Sequence, residues 1–327
     1  MNANNFPHIY LAPLRGLTGA IFRATYAQFF QGIDGAVAPF LTTIEGTRIK
    51  AGQLKELLPE NNRDMPVVPQ ILSKTAERFI VLAKALFDLG YETVNWNLGC
   101  PFARVAQKKR GSGLLPHPDL VQAFLDKTLA AIPNRLSIKT RLGRRHADEI
   151  LALMPIFNAY PIQELIIHPR TGEQMYTGTP DLVRFAQCLD LSKRPVVYNG
   201  DINTREDFEK LRHRFPAVSG WMIGRGVLGD PFLPAAIKGL SECNGNRIDQ
   251  FRHFHDTLYE RYAQVRHGPA HLVDSMKGYW TYFAAFFPDG ERILKQVRKA
   301  HGVDQYRQVV NAFFDRASNP TACSAGC

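Results

Sequence analysis

A chain of 327 residues with 45% hydrophobic and 11% aromatic side chains can bury a large core, which excludes a disordered protein and suits one barrel-sized domain with a small companion. It contains no run of eighteen apolar residues, and Met1–Pro7 lacks the basic-then-apolar build of a signal peptide, so neither membrane spanning nor export is expected and a cytoplasmic location is. Lys and Arg number 40 against 30 Asp and Glu, a net charge of +10 of which eight units fall before residue 240, and this suits a polyanionic partner.

Taken in chain order, β-branched or apolar runs at Ile9–Ala12, Gly35–Ala38, Val67–Ile71, Thr93–Asn97, Leu136–Thr140, Glu164–His168, Pro195–Asn199 and Gly220–Ile223 predict eight strands. Between them lie segments with a 3.6-residue apolar period. Thr75–Leu89 repeats Phe79, Leu82, Ala83 and Leu86, and Pro118–Ile132 repeats Leu120, Val121, Phe124, Leu125 and Leu129; both read as amphipathic helices. Strand and helix alternating in units of roughly thirty residues imply a parallel sheet, and eight such units close a (β/α)8 TIM barrel, an α/β fold. A doubly wound open sheet would alternate in the same way, but the Gly-x-Gly-x-x-Gly turn it needs after the first strand is absent.

From about Ile248 the strand signal stops, and Phe251–Val265, His271–Phe286, Glu291–Ala300 and Val303–Arg316 carry helical periodicity. The expected organisation is a barrel over residues 1–240, a helical domain over 241–317 and a disordered tail over 318–327, the whole acting as a monomer.

Active sites of such barrels lie at the carboxyl ends of the strands, so polar residues there are read first for chemistry. After the fourth strand, Asn97-Leu98-Gly99-Cys100-Pro101 turns the chain and leaves a thiol at the mouth, where it can donate a proton. The other cysteines, Cys188, Cys243, Cys323 and Cys327, read as small core or tail residues; five cysteines with no Cys-x-x-Cys pair and no zinc-spaced histidine predict neither a metal site nor a disulfide framework. Lys139 and His168 end the fifth and sixth strands, where a cation and a hydrogen-bond donor can stabilise an electron-rich ring. Asn199-Gly200-Asp201 and Gly224-Arg225-Gly226, one βα unit apart, offer glycine amides where barrels hold a phosphate. Lys108-Lys109-Arg110 precedes a glycine loop and can clamp a phosphate backbone. There is no Gly-x-Ser-x-Gly elbow, no His-Glu-x-x-His, no Walker A loop and no carboxylate pair at strand ends, so hydrolysis loses support and a cofactor gains it.

In order and spacing, Ala12-Pro13-Leu14, Asn97–Pro101, Gly111-Ser112-Gly113-Leu114-Leu115, Lys139-Thr140-Arg141, His168-Pro169-Arg170-Thr171, Asn199-Gly200 and Gly224-Arg225-Gly226 resemble the tRNA-dihydrouridine synthases, over nearly the whole chain. Lys277-Gly278-Tyr279-Trp280 is similar to the matching part of the bacterial class C members. The resemblance implies FMN in the barrel mouth, reduced by NADPH or NADH, and reduction of a D-loop uridine of tRNA, with U16 favoured. It implies Cys100 as the acid, with Pro13, Leu14, Gln70, Lys139 and His168 at the flavin and Asn199, Gly200, Asp201, Gly224 and Arg225 near its ribityl chain and phosphate. Asn97 and Arg170 would face the uridine, and Lys108, Lys109, Arg110, Arg141 and Arg145 would meet the RNA.

The chain departs from the family pattern at Leu14, Gly19, Ala38-Pro39, Asn95, Ala106 and Pro169. Two other functions compete: an FMN-dependent reductase of small molecules, of dihydroorotate or enoate type, and a non-catalytic RNA-binding protein on the same barrel. The basic loops and the helical domain count against the first, and the departures from the family pattern motivate the second.

Overall fold

The computed structural model describes residues 6–44, 49, 51–240, 246–266 and 268–318. Among these residues every strand lies parallel to its neighbours in one sheet. In chain order the strands are β1 (Ile9–Leu11), β2 (Gly35–Val37), β3 (Leu41–Thr42), β4 (Val67–Val68), β5 (Gln70–Leu72), β6 (Thr93–Leu98), β7 (Arg135–Gly143), β8 (Leu165–Thr171), β9 (Val196–Tyr198) and β10 (Gly220–Ile223).

These ten pieces make eight staves. β4 and β5 are one stave interrupted at Pro69, which has no N–H to give a ladder. Its carbonyl still accepts from Asn95 N–H on β6 (2.8 Å), while the preceding Val68 carbonyl accepts from Ala38 N–H beyond β2 (3.0 Å). The stave therefore pairs on both edges and the sheet closes on itself. β2 and β3 are likewise pieces of one stave, split at Ala38-Pro39-Phe40, and pair in turn with β4 and β5. All eight strands expected from the apolar runs are present, because a strand covered on both faces must be apolar nearly throughout.

Ala12, Val37, Ile166, Val197 and Met222 fill the inside of the barrel. The larger core lies between staves and helices. In helix Ala76–Asp88 the residues Phe79, Leu82, Ala83 and Leu86 are buried, as their spacing requires. Phe124 of helix Pro118–Leu129 stacks on Trp96 of β6 at 3.8 Å between centroids.

After β10 the described elements are helical: Arg225–Gly229, Leu233–Lys238, Arg247–Val265, Pro269–Phe283, Gly290–Lys299 and Val303–Ser318, with a 3-10 turn at Ala284–Phe286. Arg247–Val265 begins four residues before the apolar period does, because the Asn246 side chain accepts from Ile248 N–H and caps it. Ser318, expected in the tail, is the last residue of its helix; residues 319–327, with Cys323 and Cys327, and also Cys243, lie outside the described residues.

The helical part packs on helix Ala20–Phe29, the first of the barrel. Phe254 meets Phe22 and Phe30 edge-on at 5.9 and 5.0 Å, Tyr279 stacks on Phe22 at 5.6 Å, and Arg261 Nη1 donates to Thr25 Oγ1 (2.9 Å). The Tyr279 hydroxyl donates to the Leu17 carbonyl in the loop after β1, so this packing reaches the rim of the barrel mouth. No helix among the described residues is long and apolar enough to cross a membrane.

Candidate active site

At the carboxyl ends of the staves lies a cavity of about 370 Å³, within the size range of cofactor sites. Its wall includes Pro13, Leu14, Asn97, Cys100, Lys139, Arg141, His168, Asn199, Gly200, Asp201, Gly224 and Arg225, twelve of the residues singled out in the sequence. The strands put them there: they lie on or directly after six of the eight staves, β1, β6, β7, β8, β9 and β10, and only closure of the barrel brings them to one rim.

Cys100 sits on a turn fixed from several sides. The Asn97 carboxamide oxygen accepts from the N–H groups of Gly99 (3.1 Å) and Cys100 (2.8 Å). Asn97 Nδ2 donates to Gln70 Oε1 (2.7 Å), Gln70 Nε2 to Asn95 Oδ1 (2.7 Å), and Asn95 Nδ2 to Ser137 Oγ (2.8 Å). This chain of amides crosses three staves and leaves no buried charge, which gives Asn95 a role that an aspartate would fill only by being protonated. From the other side, Ser112 donates through both N–H and Oγ to the Cys100 carbonyl (3.1 and 2.9 Å). Gly111 has φ +55°, and a Cβ there would lie 2.7 Å from Cys100 Cβ, so the loop can close on the cysteine only with glycine.

The electrostatics of the cavity are one-sided. Burial pushes the Cys100 thiol above its ordinary value although Arg141, Arg15 and Lys139 pull the other way, so the sulfur keeps its proton at neutral pH. Burial, with Arg141 next, brings the Lys139 ammonium down to about 7. The Lys139 side chain has neither a hydrogen bond nor an ion pair to another described residue. Burial and the surrounding cations Arg141, Lys139, Arg170 and Arg225 hold His168 well below its usual value, so its ring is neutral. Arg170 Nη1 lies 3.2 Å from His168 Nε2 and can only donate, which places the ring proton on Nδ1. A half-buried, unpartnered ammonium among guanidiniums is complementary to an electron-rich or anionic occupant.

Asp201 is the carboxylate of the cavity wall, and it serves the protein. Burial alone would raise its pKa, but hydrogen bonds and charge from Arg170 and Arg225 hold it below the usual range. Both guanidiniums reach it, each at 2.6 Å. Arg225 also lies over the Tyr176 ring at 5.2 Å, with Arg141 over the same ring at 5.4 Å.

Several expected contacts take other positions. Arg170, expected to face the uridine, is 1% exposed and lies behind the cavity wall. Its guanidinium is occupied by Asp201, His168 and the carbonyls of Thr177 and Gly178, so it orients His168 and the loop after β8. Gln70, expected at the flavin, is fully buried in the amide chain below Asn97. Asp201, expected near a phosphate, carries the same sign as one and acts instead by holding Arg225. Lys108, Lys109, Arg110 and Arg145 are outside the cavity; Lys108, Lys109 and Arg145 are exposed, and Arg145 Nε is 3.3 Å from Glu173.

The wall also contains Phe40, Phe102, Tyr176 and Tyr282, which the sequence reading did not single out. Phe40 and Phe102 directly follow motif residues, and that adjacency was the available signal. Tyr282 comes from helix Pro269–Phe283 and no local pattern marks it. Gly19, where the family pattern has aspartate, starts helix Ala20–Phe29 without a side-chain cap; Glu56 replaces the cap from elsewhere in the chain by accepting from Ala20 N–H and pairing with Arg23 at 3.3 Å.

This donor set fits a flavin: an unpaired ammonium and a neutral imidazole for the ring system, and Arg225 with the close approach of Gly224 at the far end, where a Cβ would lie 3.2 Å from that of Ala12. Among known proteins, one of Rhodobacter capsulatus named a probable tRNA-dihydrouridine synthase is 28% identical over 267 residues, 79% of this chain and 80% of its own. The tRNA-dihydrouridine(16) synthase of Cupriavidus necator is 26% identical over 331 residues, 95% of this chain and 99% of its own. The old yellow enzyme homologue of Zymomonas mobilis has the same fold, with a TM-score of 0.53 at 13% identity over 77% of this chain and 94% of that one. The model of the dihydrouridine synthase family matches residues 10–323, and with the barrel, the thiol on its rim and the unpaired lysine beside it, the chain belongs to the dihydrouridine synthase family.

Proposed function

We propose that this chain reduces the C5–C6 double bond of a D-loop uridine in tRNA, at position 16, using FMN reduced by NADPH or NADH. The carrying observation is the pairing of a buried, protonated Cys100 thiol with a Lys139 that has no protein partner, on one cavity wall. When bound, the flavin supplies hydride to uridine C6. Cys100 then delivers its proton to C5, so one hydride and one proton saturate the bond. Lys139 and His168 hold the ring system, and Arg225, oriented by Asp201, holds the phosphate. Asn97 fixes the cysteine turn and lies on the cavity wall with its carboxamide beside the incoming base. Residues 1–240 carry this chemistry, while 241–317 hold the tRNA and add Tyr282 to the wall. The numbered activity of the Cupriavidus relative supports position 16.

The test is dihydrouridine content by nucleoside mass spectrometry after incubating the protein with FMN, NADPH and tRNA lacking the modification. New dihydrouridine at position 16 is the expected outcome; none, with flavin bound and reduced, turns the assignment to a small-molecule reductase. Lys109→Ala is expected to weaken tRNA binding and to reduce the slope of log affinity against log salt by about one, with a smaller change for Arg145→Ala because Glu173 already opposes that charge. Filter binding between low and physiological salt checks this, and an unchanged slope removes Lys109 from the interface.

A further inference from the structure

Phe102 is an unusual residue on the cavity wall. The residue is 46% exposed, although it lines the same cavity as Cys100 two residues earlier. It makes no ring contact with another described residue. A single exposed phenylalanine is ordinary, but the backbone carrying this one is held from both sides. Arg144 Nη1 donates to the Pro101 carbonyl (2.9 Å), and the Phe102 carbonyl accepts from the N–H groups of Val105 (2.9 Å) and Ala106 (3.0 Å). The backbone that carries the ring is therefore held at a set place two residues from Cys100.

Arg104, Lys108 and Lys109, on the short helix Ala103–Ala106 and the turn after it, are exposed and have no acidic partner among the described residues. A flat apolar ring beside unpaired cations has the chemistry that receives a nucleotide, the ring stacking on a base while the cations neutralise phosphate. Drawing a uridine into the cavity deprives its neighbour of a stacking partner. We infer that Phe102 stacks on the nucleobase next to the uridine that enters the cavity, replacing the lost partner, and so is a positioning residue for the reaction. This inference rests on the functional reading given above.

The experiment compares wild type with F102A, F102L, F102Y and F102W, all loaded with FMN, on tRNA lacking dihydrouridine. It reads kcat and KM for tRNA, tRNA affinity by filter binding, and separately the rate of flavin reduction by NADPH without RNA. F102A and F102L are expected to raise KM and Kd for tRNA about tenfold, the loss that one base stack carries, and by much more than they alter flavin reduction. F102Y and F102W keep a π-face and should stay within about threefold of wild type. Wild-type affinity in F102A, or rescue by leucine as good as by tryptophan, overturns the inference. If the wild type forms no dihydrouridine, the functional reading has failed, and the order of tRNA affinities across the same variants still decides the role of Phe102.

Discussion

Cys100→Ala is expected to keep its fold and its flavin while forming dihydrouridine at least about a hundredfold more slowly, the contribution of a positioned proton donor. Only the sulfur is lost. The turn survives because its anchors are the Asn97 carboxamide on the Cys100 N–H and Ser112 on the Cys100 carbonyl, both of them backbone contacts. Since burial raises the thiol pKa, the wild-type acid stays protonated past the ordinary thiol range, so uridine reduction should persist into mildly alkaline pH before declining. The measurement is single-turnover dihydrouridine formation with pre-reduced flavin, alongside NADPH-driven flavin reduction in the same variant. Wild-type single-turnover rates in Cys100→Ala would remove the thiol from the mechanism.

Lys139→Met is expected to lower turnover about a hundredfold or more, since it removes the ammonium of the cavity wall that is set against the electron-rich occupant. It has a second signature in the protein without ligand. The folded-state pKa of Lys139 is lowered from 10.5 to about 7, so between these values the unfolded chain binds the proton and the folded one does not. Stability of the unliganded wild type therefore rises with pH across that window, and below it the buried charge costs its full amount. The methionine variant should lack this slope and be the more stable protein near neutrality. Urea midpoints from pH 6 to pH 10 read it directly: parallel curves for the two proteins would mean that Lys139 is not the buried cation described.

The structure also explains how departures from the family pattern are absorbed. Glu56 supplies the cap missing at Gly19, and through Arg23 it ties residues 51–64 to the Thr18 carbonyl, at the end of the loop that forms one side of the mouth. Asn95 keeps the amide chain neutral from Ser137 to Cys100. Both compensations act through residues distant in sequence, so neither can be read at the substituted position itself.

What could be read from the sequence was whatever is written in near neighbours. The eight strands followed from apolar runs, the helices from their period, and the site's place from the rule that barrel chemistry lies at strand ends. Twelve named residues reached the cavity wall for that reason. Partner choice was a different matter. Arg170 and Asp201 are 31 residues apart, Gln70 and Asn97 are 27 apart, and Tyr282 comes from the helical part, so nothing in their local sequence says whether each faces a ligand or another side chain. Barrel closure decided that. It buried Arg170 behind His168, where a guanidinium is stable only against a carboxylate and carbonyls, and it left Lys139 alone on the open side. The sequence by itself determined which chemical groups stand at the rim, because backbone periodicity is local; only the tertiary structure decided which of them neutralise one another and which stay unpaired, because charge pairing depends on distance in space.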